Sequence, residues 1–155
     1  MTRLPRIAVT AGDPAGIGPE ITRRACDDPR VRAVCEPVPY GPISAGDLAP
    51  YPAGRVDAAA GRRAYDEVVR AVDDALAGRV QAIATAPINK ASWAAAGLHW
   101  KGHTDLLAHL CGVPEAGMLF WSDTLRVVLA TVHVPLADVP DVLTRERLSS
   151  VMRMT

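Results

Sequence analysis

The chain has 155 residues, 49% of them hydrophobic, with 17 basic and 17 acidic side chains and no net charge. That length and apolar content suit one folded domain with its own core and exclude a compositionally disordered chain. Balanced, unclustered charge argues against nucleic acid or an anionic membrane as partner, and no apolar run is long enough to span a bilayer. The opening MTRLPRIAVT turns polar too soon for a secretory signal. Cys26, Cys35 and Cys111 are odd in number and form no CxxC pair, which predicts ordinary reduced thiols and a cytoplasmic protein.

RIAVT, from Arg6 to Thr10, reads as a short strand, and AGDPAGIGPE after it as a turn rich in glycine and proline. A helix is expected from about Pro19 to Asp27, with proline suited to its first turn. VRAVCEPVPYG reads as a second strand, weakened by Pro37 and Pro39. From Gly41 to Gly61 there is no period, which predicts a loop or an abbreviated insertion. GRRAYDEVVRAVDDALAGR gives the clearest helix: Ala64, Tyr65, Val68, Val69, Val72 and Leu76 recur at helical spacing, and Gly78 sits at the C-terminal cap.

QAIATAP follows as a buried strand, then two short helices closed by Gly97 and Gly112. GMLFWSD and LRVVLATVHV read as strands around a polar turn, and LADVPDVL and TRERLSSVMRMT as helices. Strands alternating with helices predict an α/β fold with parallel strands.

Ligands of open α/β sheets bind beyond the carboxyl ends of the strands. Three predicted strands end in unusual polar segments: TAGDPAGIGPE, TAPINK and TVHVP. The first lacks the GxGxxG spacing, yet its amides and the following helix start could meet an anionic or cofactor group; a ligand-free glycine turn is as good a reading. Lys90 falls in a first helical turn, where the macrodipole disfavours a cation by about 0.3–1 kcal/mol. An anion sharing the site, or a lysine swung into water, each explains it. Lys101, His103 and Thr104 stand just ahead of the next helix, which Thr104 is placed to cap and Asp105 to suit electrostatically. His133 ends a strand that is apolar on both faces, the pattern of a central parallel strand. It reads as a satisfied core histidine, a metal ligand or a general base.

Together VTAGDPAGIGPE, AIATAPINKASWAAAGL, GHTDLLAHL and LRVVLATVHVPLADVP resemble the PdxA family, the 4-hydroxythreonine-4-phosphate dehydrogenases of vitamin B6 biosynthesis. The blocks keep the family's order, with similar spacing from Gly61 onward. The resemblance implies an isocitrate/isopropylmalate dehydrogenase-like mixed sheet with flanking helices, here truncated. It also implies a homodimer with the active site at the subunit interface. NAD or NADP and a divalent metal (Zn, Mg or Co) are implied, with oxidation of a secondary alcohol followed by decarboxylation of the β-keto acid.

By the same resemblance His103 and Thr104 bind a small phosphorylated substrate and Lys90 is the catalytic basic residue facing it. Asp13, Gly16 and Ile17 lie beside the cofactor, and His133 is the first of three metal-binding histidines. The other two belong to motifs of the NPHAGE and YHDQG kind, which this sequence lacks. Residues 1–155 are therefore expected to form one incomplete unit, abbreviated around 41–61. Such a chain should need a homodimeric or separate chain carrying the missing half, bind metal poorly and show no turnover by itself. Family relatives acting on phosphorylated sugar acids or cis-dihydrodiols, and a non-catalytic remnant, are the alternatives.

Overall fold

In the computed structural model, which describes residues 3–154, the apolar run after Pro5 forms strand β1, Arg6–Thr10. Contacts group the chain into two compact units, Met1–Pro114 and Glu115–Thr155.

The first unit is built on a parallel three-stranded sheet of order β2-β1-β3, with β2 at Glu36–Tyr40 and β3 at Ala82–Thr85. Two prolines fit in β2 because it is an edge strand. Pro37 and Pro39 alternate along it, so their nitrogens face away from β1 and no ladder donor is lost. Helix α1 (Gly18–Asp27) and the single turn α2 (Pro29–Arg32) lead from β1 to β2. The loop expected between Gly41 and Gly61 contains one helical turn, α3 (Ala45–Leu48), with Ser44 accepting from Asp47 N–H.

Helix α4, Ala58–Leu76, starts three residues before the position expected from its apolar period. The reason is its cap: Asp57 accepts from Ala60 N–H at 2.7 Å. Gly78, with φ 70°, follows its end as anticipated. Leu76, counted on the apolar face, is instead exposed. The buried stripe of α4 divides between two clusters. Ala71 joins Ala8, Tyr40 and Val80 against the sheet. Val68 and Val72 join Trp93 and Leu106, which come from α5 (Lys90–Ala95) and α6 (His103–Leu110). That second cluster fixes the starts of α5 and α6 relative to the sheet. A Cβ on Gly61 would stand 2.1 Å from Ser92 O, so α4 and α5 meet backbone to backbone there.

The second unit holds an antiparallel pair, β4 (Leu119–Trp121) and β5 (Arg126–Val128), with Leu119 opposite Val128. Ser122 Oγ closes the connection by accepting from Leu125 N–H at 2.9 Å. A 3₁₀ turn at Leu136–Asp138 runs into the short helix α7 (Val139–Val142), and α8 (Arg145–Arg153) follows. Val151 is buried, and Arg147 donates to Ala130 O at 2.9 Å. Among the described residues no helix is long and apolar enough to cross a membrane.

Candidate active site at the carboxyl ends of the parallel strands

Register levels the three parallel strands at their carboxyl ends: Thr10 lies opposite both Tyr40 and Thr85. The segments that follow leave the sheet side by side, where open α/β sheets take their ligands. Hydrogen bonds join two of them. Asp13 N–H donates to Pro87 O at 3.0 Å and Ala86 N–H to Thr10 O at 3.1 Å. Gly12 has φ 71°, and a Cβ there would stand 2.3 Å from Pro87 O, so this approach requires glycine.

The turn after β1 is closed on itself. Asp13 Oδ1 accepts from Ala15 N–H at 2.8 Å, and Asp13 O accepts from Gly16 N–H at 3.0 Å. Ala11 N–H is shared by Tyr40 O at 2.8 Å and Glu67 Oε2 at 3.1 Å. The amides of Ala11, Asp13, Ala15 and Gly16 are thus engaged inside the protein. These bonds match the reading of GDPAGIG as a self-bonded glycine turn. Asp13 is buried, with its carboxylate bonded within the turn, whereas Gly16 and Ile17 are exposed at the rim where α1 begins.

TAPINK turns the chain from β3 into α5. Asn89 caps that helix by accepting from Ala91 and Ser92 N–H at 2.9 and 3.2 Å. Lys90 is its first residue, and the side chain is exposed. It reaches toward the start of α6: a Cβ on Gly102 would lie 3.9 Å from Lys90 Cε. The stem of Lys90 therefore lies beside Gly102, the residue before His103 and Thr104. Thr104 does not cap this helix; it is exposed at the second helical position. Asp105 does the work instead, reaching back to accept from Lys101 and Gly102 N–H at 2.7 and 2.8 Å.

His103 packs edge-to-face on Trp93, with ring centroids 5.9 Å apart. Its Nε2 is buried without a hydrogen-bond partner among the described residues. Burial pushes the imidazole below its ordinary pKa, so it is neutral at physiological pH. A neutral imidazole with an unsatisfied nitrogen, next to an exposed ammonium, provides one hydrogen bond and one positive charge. That is the equipment for an oxyanion.

His133 is a correction. It does not end a buried central strand. β5 stops at Val128, and β4 is its partner among the described residues. The last ladder bond is Leu129 N–H to Met118 O at 3.1 Å, and residues 130–135 belong to no strand among the described residues. An apolar pattern on both faces marks a central strand only where neighbours exist on both edges. His133 itself is exposed in a bend with φ 56°, a left-handed conformation that histidine adopts more readily than most residues. Among the described residues no group of three or more His, Cys, Asp or Glu is placed to hold a metal ion. One imidazole falls short of the three protein ligands typical of catalytic zinc, so the donor set of this chain does not fit a metal.

Trp93 and Glu67 escaped the sequence reading. Trp93, fully buried, is the floor under His103. Glu67 lies beneath the turn after β1, and its place on the apolar stripe of α4, three residues from Ala64 and four from Ala71, was the signal that could have found it.

The fold of this chain recurs in solved dehydrogenases. A 4-hydroxythreonine-4-phosphate dehydrogenase from Burkholderia phymatum superposes with a TM-score of 0.88 at 29% identity, over 98% of this chain and 57% of that one. A terephthalate 1,2-cis-dihydrodiol dehydrogenase from Burkholderia xenovorans LB400 gives a TM-score of 0.68 at 28% identity, over 97% and 55%. In sequence, the 4-hydroxythreonine-4-phosphate dehydrogenase of Trichlorobacter lovleyi is 34% identical, covering 99% of this chain and 57% of the relative. The family model of the pyridoxal phosphate biosynthetic protein PdxA matches residues 17–155. The chain belongs to the PdxA family, and it spans about half the length of the curated relatives it matches.

Proposed function

We propose that this chain is the part of a PdxA-type dehydrogenase that grips the phosphorylated end of its substrate. The observation that carries this reading is the approach of Lys90 to Gly102 at the start of α6, beside His103 with its unpartnered imidazole nitrogen. The substrate favoured is 4-phosphooxy-threonine, after the relatives named 4-hydroxythreonine-4-phosphate dehydrogenase. Its phosphate would take the hydrogen bond of His103 and the charge of Lys90, with the exposed Thr104 hydroxyl alongside. Trp93 holds the imidazole in place.

NAD or NADP, when bound, would supply the hydride acceptor for the alcohol oxidation that precedes loss of carbon dioxide. This chain's part is positional. The exposed Gly16–Ile17 rim is the surface offered to the cofactor, and Asp13 acts by shaping the turn that carries it. No step is assigned to a metal here, because the donors in this chain do not make a site for one. His133 would be one ligand of a site completed from outside these residues, by a second copy or a separate chain. Three free cysteines agree with a reducing, cytoplasmic setting.

Calorimetry with 4-phosphooxy-threonine and unphosphorylated 4-hydroxythreonine tests the proposal. The phosphorylated compound should bind roughly tenfold tighter, about 1.4 kcal/mol, and the difference should vanish in Lys90→Met and His103→Asn. Equal binding of the two compounds by the parent protein would overturn it.

A further inference from the structure

Glu67 is a carboxylate with no part in the substrate grip, yet it is 1% exposed and lies at the carboxyl end of the sheet. Three elements close around it. From β1, Ala11 N–H donates to Oε2 at 3.1 Å, and the Gly12 amide also favours the anion. From the end of β2, Gly41 presses its bare Cα on the carboxylate: a Cβ there would stand 2.1 Å from Oε1. From α4 itself, the Arg63 guanidinium approaches Oε1 at 3.3 Å from a half-exposed position. Arg63 is the charged group that faces Glu67; β1 and β2 contribute backbone alone.

We propose that Glu67 is a positioning residue for the turn after β1, and that gain or loss of one proton on its carboxyl sets where Ala11, Gly12 and the Gly16–Ile17 rim sit. The ionised carboxylate accepts charge-assisted bonds from the turn, about twice as strong as neutral ones. The protonated acid accepts more weakly and loosens its hold on Arg63. Movement at Ala11 and Gly12 passes along a closed set of bonds: Asp13 N–H is fixed to Pro87, and Asp13 in turn holds Ala15 and Gly16. Burial, acting against Arg63 and the two amides, raises the carboxyl to about 7, so the change falls within the physiological range. The latch stands on these contacts; its bearing on a cofactor rests on the proposed function above.

Isotope-labelled protein titrated from about pH 5 to about pH 9 tests it by NMR. The Glu67 side-chain carboxyl carbon and the Ala11 and Gly12 amides should move together with one midpoint near 7. In Glu67→Gln the amide response should disappear. A Glu67 carboxyl that titrates in the ordinary carboxylate range, or amides that ignore it, overturns the proposal, and both readings come from the parent protein even if the variant does not fold. Adding NAD at the two ends of the range separates the two claims. Shifts at Gly16 and Ile17 that differ with pH in the parent, and not in Glu67→Gln, support both. A latch that titrates as expected while NAD moves neither residue leaves the latch standing and removes the cofactor reading.

Discussion

A carboxylate on the inner stripe of a helix is expensive to keep ionised, and Glu67 makes that cost measurable. Its folded pKa of about 7 stands above the ordinary carboxylate value, so the folded chain holds this proton more tightly than the unfolded one. The stabilisation is complete below the unfolded value and is lost as pH rises through about 7. The loss amounts to roughly 3 kcal/mol at 1.36 kcal/mol per unit. Urea unfolding across this window should show that decline in the parent and a flatter profile in Glu67→Gln. His103 works in the opposite sense: its lowered pKa gives stability that is present above the ordinary histidine value and lost as pH falls below it. His103 and Lys90 were singled out by residue type and position. Glu67 was not, although its place on the apolar stripe of α4, three residues from Ala64 and four from Ala71, marks it among the acids of DEVVRAVDD. Only tertiary placement turns one toward Gly41 and Ala11.

Caps and turns decided the elements, and where cap chemistry was readable the boundaries were too. Gly78, Gly97 and Gly112 all take positive φ after their helices. α6 shows the subtler case. Two side chains near its start can accept a backbone hydrogen, and the acid three residues past the cap wins over the threonine. Asp105→Ala should cost about 1 kcal/mol in thermal or urea unfolding, while Thr104→Ala should be nearly neutral. Equal effects of the two would contradict this assignment. β5 shows where reading a strand from its own residues fails. Extended structure depends on partners, and the run through His133 loses its ladder after Leu129. The apolar pattern was real, but the neighbours that would bury it are not among the described residues.

At the scale of the whole molecule, the first unit carries a core of its own and a polar mouth, whereas the second leaves much of its apolar surface open. Leu119, Phe120 and Trp121 are each more than half exposed, which is unusual for three successive strand residues. Such a surface invites association, in keeping with a chain that covers about half of its relatives' length. The alternating strands and helices followed from the sequence pattern; the division into two units did not, because apolar periodicity says nothing about how much of a chain packs together.

The most direct measurement concerns the imidazole of His103. Its NMR titration midpoint in the free protein should lie below the ordinary histidine value, as burial dictates. Addition of 4-phosphooxy-threonine should carry that midpoint upward, because a phosphate anion favours the charged ring. Lys90→Met should weaken the effect. A midpoint for His103 that ignores the phosphate would contradict the claim that Lys90 and His103 form the phosphate grip.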